Sequence, residues 1–350
     1  MVVKPGVLHL VDTLEPGGTE RVAVNLVNHL SRERFRLFLA TTRREGALAA
    51  EVLPDVGRLS LNRVRTLDLR ALRRLAAFVR ENGISIVHAH SSSLFFAALL
   101  PGARIVWHDH FGRYREEQRP AWLWGLPARR AAAVVAVNED LARWSRERLG
   151  VDAVYLPNFV PDVQNGPVPD LPGTPGSRVV CVANLRAQKD HLTLLRAIAR
   201  VPEAHLLLVG ADVEPEYAAL VREEAATLGD RVTLLGLRPD VPDLLRGCDV
   251  GVLASVSEGF PLSVLEYGRA GLAAVATRVG QCAEILEDAG VLVPPGDPEA
   301  LADALLALLR DPARRQALGE RLAQRVRERY SASAVMERLE AVYHTVLGST

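Results

Sequence analysis

Residues 250–277 read VGVLASVSEGFPLSVLEYGRAGLAAVAT. A short apolar run, Val250–Leu253, passes into a polar loop. Glu258-Gly259-Phe260-Pro261 makes a tight turn, and a helical pattern follows with Pro261 near its first position. A second apolar run, Ala273–Ala276, comes next. Strand, loop, helix, strand at this spacing is the repeating unit of a parallel sheet with covering helices.

The same cadence extends in both directions. In the first half, strands are expected at Gly6–Asp12, Phe35–Thr41, Ile84–Ala89, Arg104–Trp107, Val134–Val137 and Ala153–Leu156, with helical patterns at Glu20–His29, Leu67–Asn82 and Glu139–Leu149. In the second half they fall at Arg178–Val182, His205–Val209, Val232–Leu234, Val250–Leu253, Ala273–Ala276 and Gly290–Val293. Runs such as HLLLVG (205–210) are apolar on both faces, as parallel strands buried on both sides require. Residues 161–177, PDVQNGPVPDLPGTPGS, hold five prolines and three glycines without periodicity and read as a linker. The fold class is therefore α/β, with two doubly wound domains. One comprises residues 1–160, the other residues 178–331, and helices follow at Pro298–Arg310, Ala313–Tyr330 and Ala334–Leu347. Ligands of such sheets sit beyond the carboxyl ends of the strands.

The chain has 350 residues, 49% hydrophobic and 24% charged, enough to bury a sizeable core. Its 42 basic and 42 acidic residues cancel, which argues against a dedicated nucleic-acid binder. The balance is uneven, however: residues 1–160 carry a net +7 and the remainder −7. The three cysteines, Cys181, Cys248 and Cys282, have no metal-ligand spacing and fit a reducing compartment. Val7–Val11 is too short for a signal-peptide core and reads as a first strand, and no apolar run approaches the roughly 20 residues of a membrane span.

Three loops carry chemistry. In VDTLEPGGTERVAVNL (11–26), Gly17 and Gly18 precede a helix beginning near Thr19, so backbone can approach a ligand closely and helix-start N–H groups favour anions. In ANLRAQKDHLTLLRAIA (183–199), Lys189 is one of two lysines in a chain that otherwise uses arginine. A compact ammonium there suits a phosphate, and Arg186 offers a second cation. In the opening stretch, Glu258 and Glu266 stand eight residues apart, a little over two helical turns, so both are expected on one side near the helix start. There they would accept hydrogen bonds from sugar or ribose hydroxyls while free N–H groups hold phosphate.

The segment EGFPLSVLE, after the strand in GCDVGVLASVS, resembles the E-x7-E signature of retaining nucleotide-sugar glycosyltransferases of family four, which have the GT-B fold. GGTER, VHAHSS, WHDHFG, VAVNEDLA, LPNFV, NLRAQKDH, LLGLRPDVPDLL, VGQCAEIL and GVLVPPGDPEALA agree in order, so the resemblance spans the chain. It implies two Rossmann-like domains facing across a cleft, an acceptor-side domain (1–160 plus a terminal helix at about 332–350) and a donor domain (178–331). By the same resemblance Lys189 holds the donor diphosphate, Glu266 the ribose, and Glu258 hydroxyls of the transferred sugar, with Gly259 and Phe260 in the same donor-binding turn. Gly17 and Gly18 sit against the donor or acceptor, and His110 lies near the reacting sugar. The family usually has an arginine two residues into the second phosphate loop, where this chain has Asn184; either Arg186 replaces that cation or donor binding rests mainly on Lys189.

The resemblance further implies no metal and no cofactor, with a nucleoside diphosphate sugar as substrate, a glycan or lipid-linked acceptor, and no nucleic acid. His108, Asp109 and His110 raise the question of a metal, but sequence locates no third ligand. Trp122 and Trp124 among Arg119, Arg129 and Arg130, with the basic face of 67–82, raise peripheral membrane contact through the first domain. The expected setting is cytoplasmic, at the inner face of a membrane. The rival readings are a GT-B nucleotide-sugar epimerase and a non-catalytic sugar-nucleotide or glycan-binding protein.

Overall fold

A computed structural model describes residues 4–111, 119–161 and 166–348. The chain divides into two compact units. One takes the chain through Pro161 together with the segment from Ala332 onward; the other takes the stretch between, ending at Ser331.

The first unit is built on seven strands: β1 (Gly6–Thr13), β2 (Arg36–Arg44), β3 (Gly57–Ser60), β4 (Ile84–His90), β5 (Arg104–Asp109), β6 (Ala133–Ala136) and β7 (Ala153–Tyr155). Their order is β3-β2-β1-β4-β5-β6-β7, and every pairing is parallel. Sequence reading has no counterpart for β3, because GRLS holds a single apolar residue and lies half-buried at the sheet edge. Leu8, Leu10, Val87, Ala89, Ile105 and Trp107 supply one face of the core, against Leu75, Leu94 and Phe96 from the covering segments.

The terminal helix, Ala332–Gly348, packs on this unit through Val335, Met336, Leu339, Val342, Tyr343 and Val346. Its buried Glu340 accepts from Arg34 Nη1 (2.6 Å) and the Ser31 amide (3.2 Å), and Arg104 Nη1 donates to the Leu347 carbonyl (3.1 Å). The helix is thus fixed by polar bonds as well as by its apolar stripe.

The second unit holds β8 (Arg178–Val182), β9 (His205–Val209), β10 (Val232–Gly236), β11 (Val250–Leu253), β12 (Ala273–Thr277) and β13 (Val291–Val293), in the order β10-β9-β8-β11-β12-β13 and again all parallel. Val179, Cys181, Leu206, Leu208, Val252 and Val275 pack under the helices His191–Ala199 and Pro298–Arg310. Asp297 starts the second of these by accepting from the Glu299 and Ala300 amides (3.1 and 2.9 Å). Residues 166–177 of the expected linker carry no helix or strand; 162–165 lie outside the described residues. Among the described residues, no helix is long and apolar enough to cross a membrane.

Candidate active site

In the second unit the strand order reverses between β8 and β11, the place where doubly wound sheets open a crevice at their carboxyl ends. The two strands pair only at Val179–Val250 and Val180–Gly251. Beyond that the Tyr267 hydroxyl bridges them, accepting from the Val182 amide (2.9 Å) and donating to the Val252 carbonyl (3.0 Å). The Tyr267 ring lies over Gly251, where a Cβ would come within 2.4 Å of it, so only glycine fits at that strand position.

The loops leaving β8 and β11 are stapled together. The Val256 amide donates to the Gln188 carbonyl (2.9 Å), and Gln188 Nε2 donates to the Ser257 carbonyl (2.6 Å). This brings Lys189 Nζ to 2.5 Å from Glu258 Oε1, and the same oxygen accepts from Ser255 Oγ at 2.7 Å. Glu258 is buried and Lys189 mostly so, which strengthens their attraction relative to a surface pair. Gly280, at φ +49°, packs against Glu258 so closely that a Cβ would lie 2.1 Å from the Glu258 carbonyl oxygen. Gly259 and Phe260 are buried in the same turn, with the Phe260 ring against Tyr330.

The helical spacing argued for the two glutamates does not hold. Glu258 and Glu266 do not share a helix: Pro261 is the extended N-cap, the helix runs Leu262–Arg269, and Glu258 lies in the preceding turn. A helical repeat therefore does not relate the two carboxylates, and Glu266 sits half-buried in the helix's second turn. Asn184 accepts from the Ala211 amide through Oδ1 (3.0 Å), fixing the loop where the family usually places a cation. Arg186, two residues on, is half-buried, and its Nε has no hydrogen-bond partner.

In the first unit the order reverses between β1 and β4. Ser93 Oγ closes that point, within reach of the Leu10 carbonyl (2.6 Å) and the His90 carbonyl (2.7 Å). Gly17 is the N-cap of the helix Gly18–His29 without any side-chain cap, so the helix starts one residue earlier than its Thr19 suggests. Gly18 is exposed, and a Cβ there would meet nothing within 4 Å. Among the described residues, no contact requires glycine at that position.

His110 follows β5, half-buried, and joins four other histidines. His9 Nδ1 lies 3.0 Å from His90 Nε2, and His90 Nδ1 lies 2.9 Å from His110 Nε2. Tyr343 Oη lies 2.5 Å from His88 Nδ1 and 3.4 Å from His9 Nε2. Burial holds His9 and His110 down to about 3 and pushes His88, His90 and His108 well below the ordinary imidazole range, with neighbouring imidazoles adding to the last three. The cluster is neutral.

Asp109 is not poised for a metal. Its Oδ2 accepts from Arg119 Nη1 at 2.6 Å, with both side chains 3% exposed. The guanidinium lies over the rings of Phe111, Trp124 and Trp144 at 4.5, 4.3 and 4.4 Å. Trp124 therefore faces inward, against the expectation that it joins Trp122 at a membrane; Trp122 alone of the two is 82% exposed. The remainder of WHDHFGRYREEQR, residues 112–118, lies outside the described residues.

Residues 16–163 match the family model described as Glycosyltransferase Family 4, and residues 176–311 the one described as Glycosyl transferases group 1. The chain belongs to glycosyltransferase family 4. It is 32% identical over 227 residues to the phosphatidyl-myo-inositol mannosyltransferase of Mycolicibacterium smegmatis, covering 61% of this chain and 58% of that relative. The matched region thus spans less than two thirds of the relative's length. To the UDP-Gal:alpha-D-GlcNAc-diphosphoundecaprenol alpha-1,3-galactosyltransferase of Escherichia coli it is 25% identical over 331 residues, 84% of this chain and 85% of the relative. The crystal structure of Anabaena HepE in complex with UDP and glucose superposes with a TM-score of 0.81 at 18% identity, covering 97% of this chain and 100% of that one. The two parallel sheets with interleaved helices are those of the GT-B fold.

Within this family frame, sequence reading missed Tyr267, Ser255, Tyr343 and the histidines at 9, 88 and 90. A signal existed for one group: His88 and His90 stand two apart on a strand and so share a face.

Proposed function

We propose that the chain moves a sugar, with retention of anomeric configuration, from a nucleoside diphosphate sugar to an acceptor hydroxyl in polysaccharide or glycolipid assembly. The observation that carries this reading is the Lys189–Glu258 pair held between the ends of β8 and β11. A cation for a diphosphate and a carboxylate for sugar hydroxyls stand together there, oriented by Ser255 and the stapled loops. The names of the relatives, a mannosyltransferase and a UDP-Gal-dependent galactosyltransferase, support the same reading.

In this scheme the second unit binds the donor. Lys189 and Arg186 neutralise the diphosphate, Glu258 accepts from hydroxyls of the transferred sugar beside Gly259 and Phe260, and Glu266 accepts from the ribose. As the bond from the anomeric carbon to phosphate breaks, charge gathers on the leaving diphosphate. A preplaced ammonium stabilises that charge without reorganising. The first unit selects the acceptor, with Gly17, Gly18 and His110 beside the reacting groups. No cofactor enters.

Purified protein incubated with UDP-, GDP- and ADP-sugars, with and without glycan or lipid-linked acceptors, tests the proposal. Acceptor-dependent release of nucleoside diphosphate is expected. A donor epimerised in the absence of acceptor would favour the epimerase, and binding without turnover the non-catalytic protein.

Peripheral contact with the inner face of a membrane is a second part of the proposal. Trp122 and Leu126 are 82% and 77% exposed on the helix Ala121–Arg129, and Arg129 and Arg130 are exposed beside them. Trp122→Ala should weaken co-sedimentation with anionic vesicles; equal binding by the variant would remove this contact.

A further inference from the structure

We infer that Tyr343 of the terminal helix sets the tautomer of His110 through a hydrogen-bonded chain, Tyr343–His9–His90–His110, so that His110 presents Nδ1 as a bare acceptor. The inference rests on the reading of His110 as a residue beside the reacting sugar.

The chain is continuous. Its links are Tyr343 Oη to His9 Nε2 at 3.4 Å, His9 Nδ1 to His90 Nε2 at 3.0 Å, and His90 Nδ1 to His110 Nε2 at 2.9 Å. The linked rings are tilted by only 27° and 22°, with centroids 5.3 and 5.2 Å apart, the arrangement of imidazoles joined edge to edge rather than stacked face to face. Nitrogen sets from His9, His88 and His90, and from His90, His108 and His110, lie within 4.8 Å of one another, close enough to raise a metal site. The edge-to-edge bonds argue against it. In each of those sets two nitrogens already point at each other along a hydrogen bond, whereas metal ligands must aim their lone pairs at a common third point.

His9 and His90 each use both ring nitrogens within the chain. A neutral imidazole has one donor and one acceptor nitrogen. The protons can therefore point all one way or all the other, and the choice is made where the chain begins. Tyr343 has a single hydroxyl proton, with His88 Nδ1 at 2.5 Å and His9 Nε2 at 3.4 Å. Hydroxyl donors make the shorter bonds, whereas N–H donors work nearer 2.9 Å. The hydroxyl proton accordingly goes to His88, and the Tyr343 oxygen accepts from His9 Nε2–H. His9 Nδ1 then accepts from His90 Nε2–H, and His90 Nδ1 accepts from His110 Nε2–H. The opposite arrangement would relieve His88 Nε2, which is buried without a partner, of its proton. It would also require a hydroxyl to donate over 3.4 Å and an N–H to donate over 2.5 Å.

His110 Nδ1, left without a proton, accepts a hydrogen bond from a substrate hydroxyl and offers none. Tyr343 is a positioning residue: it reaches the ligand only through three intervening rings, His9, His90 and His110.

Nitrogen-15 NMR of histidine-labelled protein tests this directly. Wild type should show His9, His90 and His110 all protonated at Nε2 and bare at Nδ1. Tyr343→Phe keeps the ring and removes the hydroxyl, and should bring a population of His110 protonated at Nδ1. Val346→Ala, a cavity in the same helix away from the chain, should leave the histidine signals as in wild type and so separates loss of packing from loss of the hydroxyl. In transfer assays Tyr343→Phe should lower kcat about 10-fold at unchanged nucleotide affinity, short of the roughly 10⁴-fold loss that a wholly wrong histidine tautomer brings in a serine protease. His110 protonated at Nδ1 in wild type, tautomers in Tyr343→Phe identical to wild type, or histidine signals displaced by added Zn²⁺ would each overturn the inference. The tautomers are read on the free protein. A correct chain without any sugar transfer would therefore overturn the functional reading alone, and transfer with a reversed chain would overturn the inference alone.

Discussion

The two sheets reverse order at equivalent places, and each is closed there by one hydroxyl: Ser93 between β1 and β4, Tyr267 between β8 and β11. What stands beyond the closure differs. The second unit sets an ammonium against a carboxylate, Lys189 with Glu258. The first unit gathers five imidazoles held neutral, four buried and His110 half-buried, and it pairs the adjacent Asp109 with Arg119. The same topology thus serves opposite electrostatic ends. One place holds a paired ammonium and carboxylate; the other holds a chain of hydrogen-bonded neutral rings.

The contrast is broken most severely at Arg119. Arg119→Ala would leave Asp109 buried and unpaired, and removing one partner of such a pair costs about 3–5 kcal/mol. All four tryptophans, Trp107, Trp122, Trp124 and Trp144, lie in the first unit, so urea unfolding followed by tryptophan fluorescence reports on that unit. A midpoint within error of wild type would mean that neither the ion pair nor the guanidinium set over the rings stabilises this unit.

Acid should separate the units next. The five histidines are neutral in the folded first unit, whereas free imidazoles take up protons near pH 6.5. Below that pH the unfolded chain binds more protons than the folded one. Stability is therefore full above about pH 6.5 and falls toward pH 3, by up to about 1.4 kcal/mol per pH unit for each such histidine. The second unit has one comparably buried histidine, His191, held down to about 4 by burial. The tryptophan-reported transition should lose stability between pH 7 and pH 5 faster than hydrogen-exchange protection of β8–β13 does. Parallel losses would remove the electrostatic distinction.

The smallest effect on the fold is expected at Gly18. A methyl there meets only open space, and alanine suits a helix start at least as well. Gly18→Ala should keep the melting temperature of wild type while lowering kcat/KM about 10-fold by crowding the ligand. Unchanged kinetics would take Gly18 out of the site.

Much of this was legible in the chain. Apolar runs alternating with helical patterns placed twelve of the thirteen strands, since parallel strands buried on both faces leave little ambiguity. Only β3, short and at the edge, escaped. Lys189 stood out by composition and Glu258 by its turn. Their contact did not, because it depends on Gln188 joining two loops about 70 residues apart. Pro261 was legible as the helix start, but counting the eight residues from Glu258 to Glu266 in helical turns misled, since Glu258 lies in the turn before that start. The histidine chain was invisible for a different reason. Its members come from β1, β4, the end of β5 and the terminal helix, and only strand order and the packing of that helix bring them together.

The central claim is that anionic donor recognition belongs to the Lys189–Glu258 crevice and not to the histidine cluster. Calorimetric titration of UDP, GDP and ADP into wild type, Lys189→Ala and His110→Ala tests it most directly. The account predicts that the nucleotide bound by wild type loses affinity at least 10-fold, about 1.4 kcal/mol, in Lys189→Ala and is held equally well by His110→Ala. Undiminished binding by Lys189→Ala, or a loss confined to His110→Ala, would contradict it.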